Sequence, residues 1–410
     1  MINCGCPIGQ PSVFFKKSFK EITDMKKIKL MNKIAKVGTD VFDNNYEVGE
    51  NVVDPDAMMV RSANLHEESF GENLIAIARA GAGVNNIPCE ALAERGVVVF
   101  NTPGANANGV KELAIAALIL ASRDVVGGID WAKGLGTEPD VAKAVEKGKS
   151  KFAGNEIMGK TLGVIGLGAI GGLVANAAKA LGMKVIGCDP FLTVNAAWHL
   201  SGSIVKADTY DEVFEKSDYI TLHVPATKDT KGMINAASIA KMKDGVRIIN
   251  LARADLVNAE DVKAAIESGK IKSYVTDFPT EATLGAKNVI NIPHLGASTE
   301  ESEDNCAVMA AQELVDYIEC GNIRNSVNYP SVSIPHTGAA RICLAHKNIA
   351  NILSSVTSII SALGINIENL SNGSKGDYAY TIVEIGVKVP MSIIPAIEAI
   401  EGVIKVRVIE

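Results

Sequence analysis

The stretch from Thr161 to Pro190 constrains the fold more than any other part of the chain. It opens with the apolar run Thr161-Leu-Gly-Val-Ile165 and passes into Gly166-Leu-Gly168-Ala169-Ile170-Gly171. A largely apolar segment then reaches Leu181 and Gly182, and a second apolar run closes on Asp189-Pro190. A short apolar run ending on glycines predicts a buried strand entering a helix. Gly166 suits the tight turn, Gly168 allows backbone to approach a pyrophosphate, and Gly171 allows the helix to lie close to the strand. The pyrophosphate belongs at the helix N-terminus, where free N–H groups and the helix dipole favour an anion. Asp189 falls where a ribose 2′-hydroxyl is held. Pro190 and Phe191 follow it with no arginine, so a 2′-phosphate meets only repulsion. These residues predict an NAD site rather than an NADP site.

At 410 residues the chain has room for two or three domains, each with its own core. Hydrophobic residues at 47% and charged residues at 21% fit an ordinary globular protein. A net charge of −7 argues against nucleic acid or an anionic membrane as the main partner, so an anionic substrate needs a local basic pocket. The seven cysteines are scattered and odd in number, which favours a reducing compartment over a disulfide framework. Cys4 and Cys6 lack a metal-binding pattern, and no metal is expected. No apolar run is long enough to span a bilayer, and no signal-peptide core is present, so a cytoplasmic protein is predicted.

Residues 1–25 mix Cys, Gly, Pro, Phe and Lys without periodicity and read as a poorly packed extension. Three apolar runs then lead into suggestive loops. Ala57–Val60 precedes Arg61-Ser62-Ala-Asn64. Leu74–Ala78 precedes Arg79-Ala-Gly81-Ala82-Gly83-Val-Asn85. Val97–Phe100 precedes Asn101-Thr-Pro-Gly104-Ala-Asn106. Ligands of open α/β sheets bind beyond the carboxyl ends of the strands, so these loops should share a crevice. Arginine pairs well with carboxylate or phosphate, and the Gly81–Gly83 turn offers bare N–H groups. Surface ion pairing is the alternative for each arginine. Residues 107–123 read as a long apolar helix, and 131–151 as a polar, glycine-rich arm or loop that could reach a partner subunit. Further strands are expected at 219–223, 246–251, 273–276 and 288–292. The βαβα alternation predicts a doubly wound parallel sheet.

Three strand ends in this half carry candidate chemistry: Asn250-Leu-Ala252-Arg253, Asp277-Phe-Pro-Thr-Glu281, and Ile292-Pro-His294-Leu-Gly296. Hydride transfer to or from a 2-hydroxy acid needs a proton-exchanging group, for which histidine suits neutral pH. A carboxylate on the other imidazole nitrogen fixes the tautomer, and a cation anchors the substrate carboxylate. His294, Glu281 and Arg253 fit these roles in that order. Any one of them alone could be structural.

With these motifs the sequence resembles the D-isomer-specific 2-hydroxyacid dehydrogenase family, and within it the phosphoglycerate-oxidising branch, over roughly residues 26–410. The resemblance implies NAD-dependent oxidation of D-3-phosphoglycerate to 3-phosphohydroxypyruvate, the first step of L-serine biosynthesis. A hydroxypyruvate, glyoxylate or other 2-hydroxyacid reductase is the alternative, and a non-catalytic NAD-sensing regulator a more distant one. His294 becomes the acid/base, Glu281 its partner and Arg253 the anchor. Gly166, Gly168, Ala169, Ile170, Gly171, Asp189, Ala252, Arg253, Asp277, His294 and Gly296 fall to the cofactor. Arg61, Ser62, Arg79, Gly81, Ala82, Gly83, Asn85 and Asn106 fall to the substrate. The sequence departs from the family pattern at Ala254 and Ala282, and Asp277 directly precedes Phe278 where the family has one residue between. The substrate-binding domain is expected at 26–104 and 293–325, with the chain crossing back after His294, and the NAD-binding domain at 105–292.

After a Ser/Pro linker, 326–340, residues 341–410 give a βαββαβ order, the ferredoxin-like pattern. It resembles an ACT domain, and that resemblance puts His346, Asn348 and Asn366 at an amino-acid effector, L-serine, held between subunits. Ile349-Ala350-Asn351 stands where those relatives carry Pro-Gly, so a unit that only dimerises is the alternative. A homodimer or homotetramer is expected. The fold class is therefore α/β, two doubly wound parallel-sheet (Rossmann/flavodoxin-like) domains followed by a ferredoxin-like domain.

Overall fold

The computed structural model describes residues 25–390 and 392–410. The N-terminal extension expected at 1–25 thus lies outside the described residues except for Met25. Three sheets organise the chain. The first contains β1 (Lys26–Leu30), β2 (Tyr46–Gly49), β3 (Ala57–Val60), β4 (Ala76–Arg79) and β5 (Val98–Asn101), all parallel, in the order β2-β1-β3-β4-β5. Its central strands β3 and β4 are short and apolar up to Arg79 at the carboxyl end of β4, as in sheets buried on both faces.

The second sheet holds β6 (Thr161–Ile165), β7 (Lys184–Cys188), β8 (Val205–Lys206), β9 (Tyr219–Leu222), β10 (Val246–Asn250), β11 (Ile271–Thr276) and β12 (Val289–Asn291). All its pairings are parallel, and the order β12-β11-β10-β9-β6-β7-β8 reverses between β6 and β9. That reversal is the switch point where doubly wound sheets bind ligands.

The helix Glu300–Cys320 carries the chain back to the first sheet. Thr299 caps its start by accepting from Ser302 N–H, and Gly321, left-handed at φ 70°, ends it. Its Ala307, Ala310, Ala311 and Leu314 share one core with Ile28, Ala57, Met59, Ala78 and Phe100. Small residues at that contact let the helix lie close: a Cβ on Gly38 would fall 2.5 Å from the Ala307 Cβ.

The third sheet is antiparallel, β13 (Ala340–Lys347), β14 (Ile367–Lys375), β15 (Tyr378–Ile385) and β16 (Val403–Ile409), in the order β14-β15-β13-β16. One face buries Ile342, Leu344, Val383 and Ile385 under the helices Ile352–Ala362 and Ile393–Glu398. The opposite face does not look into solvent. Cys343, Ala345, Tyr380 and Ile382 join the same core as Leu314, Tyr317 and Tyr329. The small domain shares this core with the first sheet rather than hanging free of it.

Two sequence expectations change here. The 131–151 segment is mostly helical, with helices Val125–Lys133 and Val141–Gly148 capped by Asp124 and Asp140. Glycine content masked that order. Gly148 is needed because Trp131 rests on it, where a Cβ would lie 2.3 Å from the indole. The expected linker is strapped down rather than free. Asn328 accepts from Val99 N–H at 2.9 Å, Tyr329 donates to Ala93 C=O at 2.7 Å, and Val332 pairs with Ile323. Arg341 fastens its far end, donating to Glu384, Cys320 C=O, Asn322 and Ile334 C=O, with both Arg341 and Glu384 fully buried. A buried ion pair is tolerated only when its remaining hydrogen-bonding capacity is met in this way.

Candidate active site

At the β6 turn the three glycines have three separate physical reasons. Gly166 sits at φ +88°, and a Cβ there would fall 2.5 Å from the His223 carbonyl oxygen. Gly171 starts the helix Ala169–Ala180 so close to the strand that a Cβ would lie 1.8 Å from the Gly166 oxygen. Gly168 has nothing within 4 Å of its Cβ position. An open face on the residue preceding a helix start is what a phosphate needs to reach the N–H groups. Asp189 accepts from Leu167 N–H at 2.8 Å and Phe191 N–H at 2.9 Å, which holds its carboxylate beside the glycine turn. Ala169 packs 3.2 Å from the Cβ position of Gly104, so the turn abuts the loop after β5.

A cleft of about 520 Å³ opens where the carboxyl ends of both sheets meet. Among its lining residues are Arg61, Arg79, Gly81, Ala82, Gly83, Asn85 and Asn106 from one side, and Arg253, Phe278 and His294 from the other. Ser62 lies next to Arg61 but does not line the cleft; its N–H is spent on Asn32 Oδ1. Asn106 precedes its helix without a side-chain cap, which leaves its amide for the cleft.

Arg253 is placed by Asn250, whose buried amide accepts from Ala252 and Arg253 N–H and donates to Arg253 C=O. The guanidinium spends one N–H on Ala252 C=O at 2.7 Å. His294 follows β12 at φ +43°, an uncommon conformation for a residue with a side chain and one that concentrates at functional sites. Its N–H donates to Asp277 C=O and Ile292 C=O, and its ring packs 4.8 Å from Phe278.

Glu281, expected on the other imidazole nitrogen, is exposed, lines no part of the cleft, and makes no hydrogen bond to His294 among the described residues. The pair is not assembled in this structure. With Asp277 directly before Phe278, the aromatic ring takes the flank of the imidazole. Asp277, whose carbonyl accepts from the His294 N–H, is buried at 1% exposure. Burial holds its carboxyl above the ordinary range, against the opposing pull of Gly296 N–H, His294 and Arg253. Its Oδ2 accepts from Gly296 N–H, while Oδ1 is buried with no partner. An orphaned acceptor beside the cleft suits an amide donor of a bound cofactor.

Lys33, Arg61, Arg79 and Arg253 make the cleft basic, and Glu303 is the only acid among its lining residues. Burial pulls the Arg79 guanidinium below its usual value; Cys306 opposes it, and the charges of Arg61 and Arg253 add smaller lowering effects. Lys33 and Glu303 escaped the sequence reading. Lys33 follows β1 at a carboxyl strand end, and the rule that flagged Arg61 and Arg79 applies to it equally. Asn32, whose Oδ1 accepts from three successive N–H groups at 61–63, carries no local signal.

The effector residues of the small domain are not brought together within one chain. His346 is buried, with its ring nitrogens bonded to Lys347 C=O and Thr381 Oγ1, and burial lowers its pKa. It is a satisfied core histidine. Asn348 donates to Gly376 C=O, at the same end of the sheet. Asn366 precedes Ile367, which pairs with Ile385 and so aligns with Ala340, six residues from His346 along β13. That register separates them by about 20 Å. Asn351 adopts φ +72° at its helix start, the conformation a glycine would have supplied.

Residues 119–296 match the family described as D-isomer specific 2-hydroxyacid dehydrogenase, NAD binding domain. D-3-phosphoglycerate dehydrogenase 2 of Saccharomyces cerevisiae is 32% identical over 366 residues, covering 83% of this chain and 74% of that one. D-3-phosphoglycerate dehydrogenase of Synechocystis is 36% identical over 322 residues, 76% of this chain, but the match spans only 55% of the relative, a little over half its length. Among solved structures, NAD⁺-bound 3-phosphoglycerate dehydrogenase of Entamoeba histolytica aligns with TM-score 0.58 and 29% identity, covering 74% of this chain and 98% of that one. Glycine cradle, strand order and a relative matched over most of its length agree, and the chain belongs to the D-isomer specific 2-hydroxyacid dehydrogenase family.

Proposed function

We propose that this protein oxidises D-3-phosphoglycerate at its C2 hydroxyl to 3-phosphohydroxypyruvate, with NAD⁺ as oxidant, at the entry to L-serine biosynthesis. The observation that carries the reading is the crowd of cations, Lys33, Arg61, Arg79 and Arg253, in one cleft of a chain whose net charge is −7. A substrate bearing both a phosphate and a carboxylate neutralises such a crowd; an unphosphorylated 2-hydroxy acid leaves most of it unpaired and costly.

When bound, NAD⁺ supplies the hydride acceptor. The open face at Gly168 and the helix behind it would hold the pyrophosphate, Asp189 the ribose, and Asp277 Oδ1 the carboxamide. Arg253 grips the substrate carboxylate and polarises C2–O. His294 takes the hydroxyl proton as the hydride leaves C2 and returns it in the reverse direction. Glu281 joins His294 when the cleft closes, since catalytic hydrogen bonds often tighten only around substrate. Arg61, Arg79 and Lys33 hold the phosphate.

The helical segment 125–152 exposes Val125, Val126, Ile129 and Val141, and a second copy of the chain is the natural cover for them. An L-serine site on the small domain would likewise need a second copy, to bring Asn366 near His346 and Asn348. No helix among the described residues is long and apolar enough to cross a membrane. A cytoplasmic, reducing compartment fits the free thiols of Cys89, Cys188, Cys306, Cys320 and Cys343.

Steady-state NADH formation with D-3-phosphoglycerate and with D-glycerate tests the assignment. The phosphorylated substrate should show the higher kcat/KM by about two orders of magnitude, roughly 3 kcal/mol from its charge-assisted phosphate contacts. Equal efficiency would remove the phosphate role of Arg61 and Arg79, and activity on the unphosphorylated acid alone would remove the assignment.

A further inference from the structure

A second cavity, about 340 Å³, lies on the far side of the substrate domain, where the helix Glu300–Cys320 meets the segment 322–325. Its lining includes Phe100 and Met309 as apolar floor, Glu313 and Asp316 from the helix, and Arg324 and Asn325 from the returning chain. The charged groups facing it are these two carboxylates and one guanidinium. Asp316 is already committed: it accepts from Arg324 Nε at 2.9 Å and from Asn322 Nδ2 at 2.8 Å. Glu313 is not. It is 7% exposed, its Oε1 accepts from Asn325 Nδ2 at 2.6 Å, and its Oε2 is buried with no partner.

An unpaired carboxylate oxygen on the wall of a cavity is costly unless something arrives to share it. With Glu313 ionised, the cavity has one net negative charge and one unmet acceptor, which asks for a monovalent cationic donor. A divalent metal does not suit it, because the described residues hold no group of three metal-binding side chains. Water would satisfy the acceptor but not the charge. The terminal torsion of a glutamate is broad, so a small turn exposes Oε2 to an incoming group.

We propose that this cavity is a second small-molecule site that takes a ligand with a primary ammonium group, held by Glu313 and seated on Phe100 and Met309. An ammonium offers three N–H donors, enough for Glu313 Oε2 and for the amide oxygens of the rim. Asn322 ties the cavity onward, since its amide oxygen accepts from the buried Arg341 of β13 while its nitrogen holds Asp316. Occupancy therefore bears on the seam between the small domain and the substrate domain. The same helix lines the catalytic cleft through Ser302, Glu303, Cys306 and Ala307.

The test uses the full chain and the probe propylammonium chloride, with propanol as the neutral isostere, read by saturation-transfer NMR. Propylammonium should bind saturably with a millimolar Kd, and propanol should not. Burial pushes the Glu313 carboxyl up to about 7, so binding should tighten by nearly tenfold between about pH 6 and pH 8 as the carboxylate forms. Glu313→Gln should lose the binding while leaving turnover of the cleft unchanged, and Arg324→Ala should keep it. Three results each overturn the proposal: no saturable binding up to about 100 mM, binding equal in Glu313→Gln, or binding independent of pH in the unaltered protein. The pH experiment stands even where the variant fails to fold. Its failure would leave the oxidoreductase reading intact, because neither Glu313 nor Arg324 touches that cleft.

Discussion

One helix walls two cavities of opposite sign. The first half of Glu300–Cys320 faces the interdomain cleft, where four cations meet one acid. Its second half faces the smaller cavity, where Glu313 and Asp316 meet one arginine. In the cleft the excess charge is spread over exposed or half-buried side chains, and water screens it until an anion arrives. In the smaller cavity the excess resides on one buried carboxyl, which answers by holding its proton up to about pH 7. Net charge does not choose a ligand. The local imbalance does, and how that imbalance is tolerated depends on burial.

The largest effect is expected from removing the one group in the cleft whose role is proton exchange. His294→Ala should lower kcat by about 10²- to 10⁴-fold, the usual worth of a positioned acid or base, while NAD affinity stays within about twofold. Turnover measured by NADH absorbance and cofactor affinity by fluorescence titration separate the two. An intact kcat would reduce the cleft to a binding pocket and erase its contrast with the smaller cavity.

Next comes the carboxyl of the second cavity. In the unfolded chain Glu313 loses its proton near 4.5, and in the folded protein near 7. Below pH 4.5 both states hold the proton and the group has no effect. Between those values the unfolded state releases it and the folded state keeps it, so stability falls as pH rises. Above pH 7 the loss levels off at about 3 kcal/mol. Glu313→Gln, which has no proton to lose, should be more stable than the parent by that amount at pH 8 and equal to it at pH 4, in urea denaturation. A difference that does not change with pH would mean that the carboxyl is not strained by burial.

What the sequence showed and what it hid divide along local and non-local lines. Gly166, Gly168 and Gly171 were legible because strand, turn and helix lie within twenty residues. Arg61, Arg79 and His294 were legible through position, since strand ends in a parallel sheet converge. Lys33 obeyed the same rule and was passed over for want of a glycine or arginine beside it. Glu281 was legible only as order along the chain: loop length decides which side chain stands beside the imidazole, and in this open cleft Phe278 does. His346 shows in sequence only its position, while the fold gives its ring nitrogens Lys347 C=O and Thr381 Oγ1 as partners. Asn366 required the register of β14 on β15, which no single strand encodes. Glu313 gave no signal at all, because its isolation arises only in the fold, where Asp316 takes Arg324 and Asn322 and leaves Glu313 with Asn325 alone.

The smallest effect is the most discriminating for the cleft. Arg61 Nη2 donates to Glu303 Oε1 at 2.5 Å, with the two side chains 47% and 42% exposed. An exposed pair of this kind contributes about 0.2 to 1 kcal/mol, so it competes weakly with an arriving phosphate. Glu303→Gln removes the competing charge and leaves Arg61 in place. The KM for D-3-phosphoglycerate should then fall about two- to fivefold with kcat unchanged, and stability should move by less than about 0.5 kcal/mol. The gain should shrink at high salt, because the repulsion it removes is screened there. The KM for D-glycerate should stay where it was. A fall in both KM values would place Arg61 on the substrate carboxylate, and a fall in neither would leave Arg79 and Lys33 as the phosphate's only cations, with Arg61 belonging to Glu303 alone.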